Sequence, residues 1–340
     1  MSGPIRANDV DQLATASRNG FVENRFFGSA VVVDSSGVII AGAGDPAAGV
    51  YARSALKPLQ AIASLRCGAD ISGAQLALAT GSHIGSPWHQ QTAADTLAQV
   101  GLSTEDLQCT AVMPQSASQV AAAALEMAPI PLERSRLAHN CSGKHAGFLA
   151  ATVGAGADPA DYLADNNPVQ TEVIKVLEQY CETSITHVGV DGCGAPTPVL
   201  SLAALARGFG KLGRAGHDRH AELPAAMVTR AMLEYPTAVQ GNNRPDTVVL
   251  DLLGLVTKTG ADGVLAMAAP DGTAVAVSMI DSTHRATHLI ALVLLAQYAP
   301  DALSLQDMSE VIERFVPPIY GGNQAVGSIK LAPAILRLLQ

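Results

Sequence analysis

In the stretch ARSALKPLQA, Ala52–Ala61, a serine and a lysine stand three residues apart and a proline follows the lysine. On a helix, Ser54 and Lys57 share one face of a single turn, where a neutral amine could take the proton of the hydroxyl. Pro58 lacks an N–H and is tolerated only near a helix start, so the spacing predicts a helix that opens at about Ser54. The unpaired N–H groups and the positive dipole end there favour an oxyanion and disfavour a charged lysine. A free lysine titrates near about 10.4, so work as a base at neutral pH needs burial or a positive neighbour. The apolar continuation PLQAIASL would bury that face. A bare S-x-x-K also describes an ordinary cap and a surface lysine, so the rest of the chain has to decide.

TKTG, Thr257–Gly260, is the second informative stretch. An early S-x-x-K followed much later by K-T-G on a strand is the signature pairing of serine β-lactamases and penicillin-binding proteins, and it would put Lys258 in the same cleft as Ser54. GSHIGSPWHQ, Gly81–Gln90, carries Ser82, His83 and His89 in a Gly/Ser/Pro-rich loop with a helix N-cap at Ser86. HNCSGKHAGF places Cys141, Lys144 and His145 at another helix start, and DGCGAP holds Asp191 and Cys193 in a glycine-rich turn. Two cysteines near a histidine and an aspartate could ligate zinc, which prefers thiolates; inert buried thiols are the plainer reading. GNNRPDT offers Arg244 and Asp246, either as partners for the carboxylate and amine of a free amino acid or as a loop salt bridge.

The elements that must position these groups follow from patterning. With 340 residues, 48% hydrophobic and 15% charged, the chain can bury one large core or two intimately packed ones. FFGSAVVVDSSGVIIAGAGD reads as a hairpin leading into the Ser54 helix. From about Cys67 to Thr186 the pattern is mostly helical, with SQVAAAALEMA at Ser118–Ala128 and NPVQTEVIKVLEQYC from Asn167. THVGVDGCGAP then reads as a strand ending in a loop, and PVLSLAALARGF as a helix. GLVTKTGADGVLAMAAPDGTAVAVSMID gives two or three strands, and STHRATHLIALVLLAQYA a final amphipathic helix capped by Ser282 or Thr283. The predicted architecture is an α-β-α sandwich with an antiparallel sheet, formed by residues 1–66 and 187–340 and interrupted by a helical lobe at 67–186.

A net charge of −9 without a Lys/Arg cluster argues against nucleic-acid or anionic-membrane partners. The N-terminus shows no secretory pattern and the most apolar run, HLIALVLLAQY, is too short to span a bilayer. Cys67, Cys109, Cys141, Cys181 and Cys193 are odd in number and widely spaced, as expected for reduced thiols in the cytoplasm.

ARSALKPLQ, GSHIGSPWH, HNCSGKHAGF, DGCGAPTPVLSLAALARGF, YPTAVQGNNRPDT and VTKTGADGV, in that order across most of residues 25–330, resemble the rhizobial-type L-asparaginase II family. The resemblance implies a serine β-lactamase/glutaminase-like fold and hydrolysis of L-asparagine to L-aspartate and ammonia. It makes Ser54 the nucleophile, Lys57 its base, and Ser82 with Lys258 a second pair in the cleft. It further implies an accessory zinc held by Cys141, Lys144 and Cys193 with Asp191 close by, where the residues themselves suggest His145 as third ligand. Arg53, His83, Arg244 and Asp246 are the expected substrate contacts, and a cytoplasmic homodimer is the expected form. The chain departs from the family at Ser86, where a glutamate is usual. A β-lactamase or peptidase, and a zinc-binding regulatory protein in which Ser54 is only a cap, are the rival readings.

Overall fold

The computed structural model describes residues 3–115 and 134–340; the helical stretch expected at Ser118–Ala128 lies outside them. Its centre is an eight-stranded sheet built from β1 (Asp11–Arg18), β2 (Phe21–Val33), β3 (Ile39–Ala43), β7 (Val256–Thr259), β8 (Val264–Ala268), β9 (Ala274–Met279), β10 (Ile319–Gly321) and β11 (Gln324–Leu331). The order is β10-β11-β1-β2-β9-β8-β7 with β3 also on β2, and every pair is antiparallel. A small second sheet joins β4 (Gly49–Tyr51), β5 (Val188–Val190) and β6 (Pro196–Ser201) in the order β4-β6-β5.

Strand alternation sorts the side chains into two cores. Val31, Val33, Ala266, Ala274 and Ala276 face one side, where α6 (Leu202–Ala215) packs with Leu205, Phe209 and Leu212. Ala30, Val32, Leu265, Met267, Val275 and Val277 face the other, against Ile290 and Leu294 of α9 (Thr287–Tyr298) and Val311 of α10 (Leu305–Phe315). The first core continues into α1 (Lys57–Arg66), α2 (Gly73–Ala79), α3 (Pro87–Gln99), α4 (Ser142–Gly154), α5 (Pro168–Cys181) and α7 (Leu223–Glu234). The remaining labelled helix, α8 (Pro245–Leu253), feeds β7. This is the expected α-β-α sandwich with an added helical region.

Local expectations fail where tertiary pairing overrides pattern. PVLS is not helical: it ends β6, paired to β4 and β5, and the helix starts only at Leu202 under the Ser201 cap. The helix in STHRATHLIALVLLAQYA opens at Thr287 without a side-chain cap, because its N-cap position is Ala286; Ser282 lies ahead of it in a left-handed conformation (φ 64°). It is not the final helix, since α10 follows, and it buries residues around most of its circumference instead of along one stripe. Ser86 does cap α3, accepting from the N–H of His89. Among the described residues no helix is long and apolar enough to cross a membrane.

Candidate active site

Ser54 does not sit on the first turn of an α-helix. It lies on a 3-10 turn, Arg53–Leu56, and the α-helix proper begins at Lys57 with Pro58 in its opening positions. Arg53 enters that turn at φ 52°, a conformation rare for a residue with a Cβ. Its guanidinium bonds Asp191 and, at 2.8 Å, Asp262, which joins the Ser54 turn to the Cys193 loop and to the turn after β7. Arg53, expected to contact substrate, is thus held by two carboxylates of the protein.

Lys57 is fully buried and its Nζ donates to Gly81 O, to Ser82 Oγ at 3.0 Å and to Asn140 O at 3.3 Å. Burial lowers this amine to about 8, with Cys141 opposing the shift and Lys258 and Lys144 adding to it. Ser54 and Ser82 are both partly exposed, and the Ser54 hydroxyl has no hydrogen-bond partner among the described residues. The serine hydrogen-bonded to Lys57 is therefore Ser82, and among the described residues no hydrogen bond joins Ser82 to Lys258. The loop that carries Ser82 is fixed by Ser82 N–H to Val239 O (2.7 Å), His83 N–H to Asn140 O (3.2 Å) and Ile84 N–H to Gln240 O (3.0 Å). Gly81 is needed in it, since a Cβ there would lie 2.7 Å from Val239 O.

Lys258, also fully buried, points elsewhere: its Nζ donates to Thr259 O (2.7 Å) and to Asp246 Oδ2 (3.3 Å). Asp246 takes two further bonds from Thr259, through its N–H and its hydroxyl. Burial works against this carboxylate, yet Lys258, His288 and Thr259 hold it well below the usual range. Asp246 is neither a free partner for a substrate amine nor in a salt bridge with Arg244; Arg244 is exposed at the N-cap of α8. The KTG strand does lie beside Ser54, because Gly260 packs so closely that an added Cβ would be 2.6 Å from Ala52 O and 3.4 Å from the Ala55 Cβ. His83, another expected substrate contact, is buried: Nδ1 accepts from Gly85 N–H (3.1 Å), Nε2 meets Ser142 Oγ (3.0 Å), and the ring stacks on His89. Burial, then His89 and Lys57, keep it neutral, well below the usual imidazole range.

The thiols converge behind Lys57. A hydrogen bond from Cys193 holds Cys141 well below the ordinary thiol range despite its burial, with Lys57, His139 and Lys144 contributing; Cys193 is correspondingly pushed up. Lys144 Nζ lies 3.3 Å from Cys193 Sγ. Burial opposes its charge, but Cys193, Cys141 and Asp191 more than offset that, and the amine is raised. His145 bonds Tyr162 OH through Nδ1 at 2.6 Å and leaves Nε2 buried without a partner. Among the described residues no three His, Cys, Asp or Glu side chains converge on one point, so neither His145 nor Asp191 joins both thiols. Two thiols and an amine remain together, a donor set that fits zinc, which takes sulfur and nitrogen alike. Sequence reasoning missed Asp262, although it stands in the KTGADG stretch, and missed the Gly81 and Asn140 carbonyls, which leave no trace in residue type.

Residues 14–331 match the L-asparaginase II family. No curated protein matches the sequence. Among solved structures the chain is similar to Mglu in its native form, with a TM-score of 0.44 and 14% identity over 80% of this chain and 64% of that one. A Bacillus glutaminase gives 0.44 and 13% over 82% and 92%, and a β-lactamase from Mycobacterium bovis 0.40 and 16% over 81% and 95%. The chain thus spans less than two thirds of the length of Mglu. The family match spans most of the chain, including the Ser54 turn, the Cys141 and Cys193 loops and the KTG strand; the chain belongs to the L-asparaginase II family.

Proposed function

We propose that the protein hydrolyses L-asparagine to L-aspartate and ammonia through a serine acyl-enzyme. The observation that carries this reading is the buried Lys57 amine, lowered to about 8 and held by three neutral acceptors one turn from Ser54. Neutral Lys57 takes the Ser54 proton and Oγ attacks the side-chain amide carbon, while backbone N–H groups of the turn stabilise the oxyanion. As the C–N bond breaks, the proton returns from Lys57 through Ser82 Oγ to the departing amine. Water then cleaves the Ser54 ester, its proton taken by the same lysine, and aspartate leaves. Lys258, paired with Asp246 beside the turn, contributes positive charge to the cleft and takes no proton.

Zinc would be held by Cys141, Cys193 and Lys144, the last after losing its proton. Bound there, it would act as an accessory cation that favours the carboxylate of the substrate. The observed contact of Ser82 with Lys57 favours one second reading, in which Ser82 is the nucleophile. The test is ammonia release from asparagine, glutamine and a cephalosporin side by side, followed by mass spectrometry of quenched enzyme. Turnover of asparagine with the acyl group on the Ser54 peptide supports the proposal. An acyl group on Ser82 selects the second reading, and turnover of the cephalosporin alone refutes both.

A further inference from the structure

Asp246 lies at the start of α8, 12 residues before Lys258 of β7, and its carboxylate takes hydrogen bonds from Lys258 and Thr259 of the KTG strand. Both side chains are completely buried. The carboxylate meets the Lys258 ammonium at 3.3 Å and the Thr259 N–H and hydroxyl at 3.0 and 2.6 Å, so it grips two consecutive residues of one strand. On its far side stands His288 of α9, Nε2 3.9 Å from Oδ1, with His284 close behind; His288 Nε2 and His284 Nδ1 have no hydrogen-bond partner among the described residues. The next residue of the strand segment, Gly260, is wedged against Ala52, immediately ahead of Arg53 and Ser54. A charge taken out of water this completely is retained only with a partner in good geometry.

We infer that Asp246 is the positioning residue of the active site: anchored on Thr259 and ion-paired to Lys258, it fixes where the Lys258 charge stands relative to Ser54. This rests on the proposed role of Lys258 in catalysis. Asp246 touches no reacting atom and acts only through Lys258, so its removal lowers kcat more than it raises KM, and the loss needs Lys258 to be present.

The test is a double-mutant cycle on the full chain with Asp246→Asn, Lys258→Met and the double variant, each checked for folding by circular dichroism and assayed for ammonia release. Asp246→Asn alone is expected to lower kcat at least tenfold with KM changed less than threefold. In the Lys258→Met background the same change should alter kcat less than twofold. Losses that multiply, or an Asp246→Asn enzyme with unchanged kcat, overturn the inference while leaving the role of Lys258 intact. A folded Lys258→Met enzyme with full turnover instead refutes that role. If Asp246→Asn fails to fold, Asp246→Glu decides: the retained charge should keep kcat within tenfold, and a folded Glu variant as inactive as Lys258→Met overturns the proposal.

Discussion

Lys57 and Lys258 are both completely buried within the candidate active site, yet they sit in opposite company. Lys57 is surrounded by two carbonyls and a hydroxyl, which satisfy its N–H groups without returning a full charge, and burial lowers it to about 8. Lys258 faces the Asp246 carboxylate, which is itself held far below the usual range. Burial alone therefore does not make a base. An amine whose acceptors are neutral gains no counter-charge for its burial, whereas a carboxylate acceptor supplies one. In the proposed mechanism this difference separates proton transfer from electrostatic positioning between two residues of the same type.

The largest expected effect breaks the Lys57 half of this contrast. Ser54→Ala should abolish turnover in a folded protein, since a hydroxyl on a 3-10 turn contributes at most about 1 kcal/mol to stability. Lys57→Arg should cost at least about a hundredfold in kcat, because a guanidinium keeps the charge and cannot give up its proton. An arginine enzyme with most of its activity would transfer the role of base away from Lys57.

The same contrast predicts opposite pH edges. Activity should rise as pH increases through about 8, where folded Lys57 loses its proton, and a kcat profile flat from pH 6 to 9 would sink the assignment. The unfolded amine titrates near 10.5, so between about 8 and 10.5 the unfolded chain binds the extra proton. Stability from this group therefore grows as pH rises across that window, and is lost as pH falls through about 8. For Asp246 the folded carboxylate is depressed, so its contribution is present above the ordinary range, near 3.8, and disappears only on strong acidification.

Much of this was legible from residue order. S-x-x-K before a proline marked the turn and helix start at Ser54–Pro58, Gly-Asp turns marked β7 to β9, and strand-like runs marked the β2–β3 hairpin. β1, β10 and β11 were not, because DQLATASR mixes small and polar residues and β11 keeps much of its surface exposed, so neither shows a hydrophobic alternation. Asp246 was misread for a physical reason: a carboxylate in a polar loop sequence looks solvent-facing, and only the approach of α8 to β7 buries it on Lys258. His83 likewise looked available beside Ser82, while its ring is occupied by Gly85 and Ser142.

A smaller effect separates the lysines by stability. Lys258→Met leaves the Asp246 charge buried and unpaired, at a cost of about 3–5 kcal/mol. Lys57→Met leaves only neutral acceptors without a donor, about 1–3 kcal/mol. Urea unfolding of both variants checks the order, and equal losses would erase the distinction between a paired and an unpaired site.

The smallest expected effect concerns the thiols, which lie nearer Lys57 in influence than Lys258. Cys141 stabilises the Lys57 proton across the buried space between them, so ligation of that thiolate by zinc withdraws its negative charge and favours the neutral amine. Elemental analysis of protein purified without chelators should find about one zinc per chain, the occupancy expected for a single three-donor protein site completed by water. Chelation, or Cys193→Ser, should then raise KM for asparagine more than it lowers kcat, because Ser54 and Lys57 remain in place. The acid edge of the kcat profile should also move to higher pH once the metal is gone. A chelated enzyme that is folded but wholly inactive would make the metal the centre of the chemistry. Full activity with both thiols freely titratable would reduce Cys141 and Cys193 to packing residues.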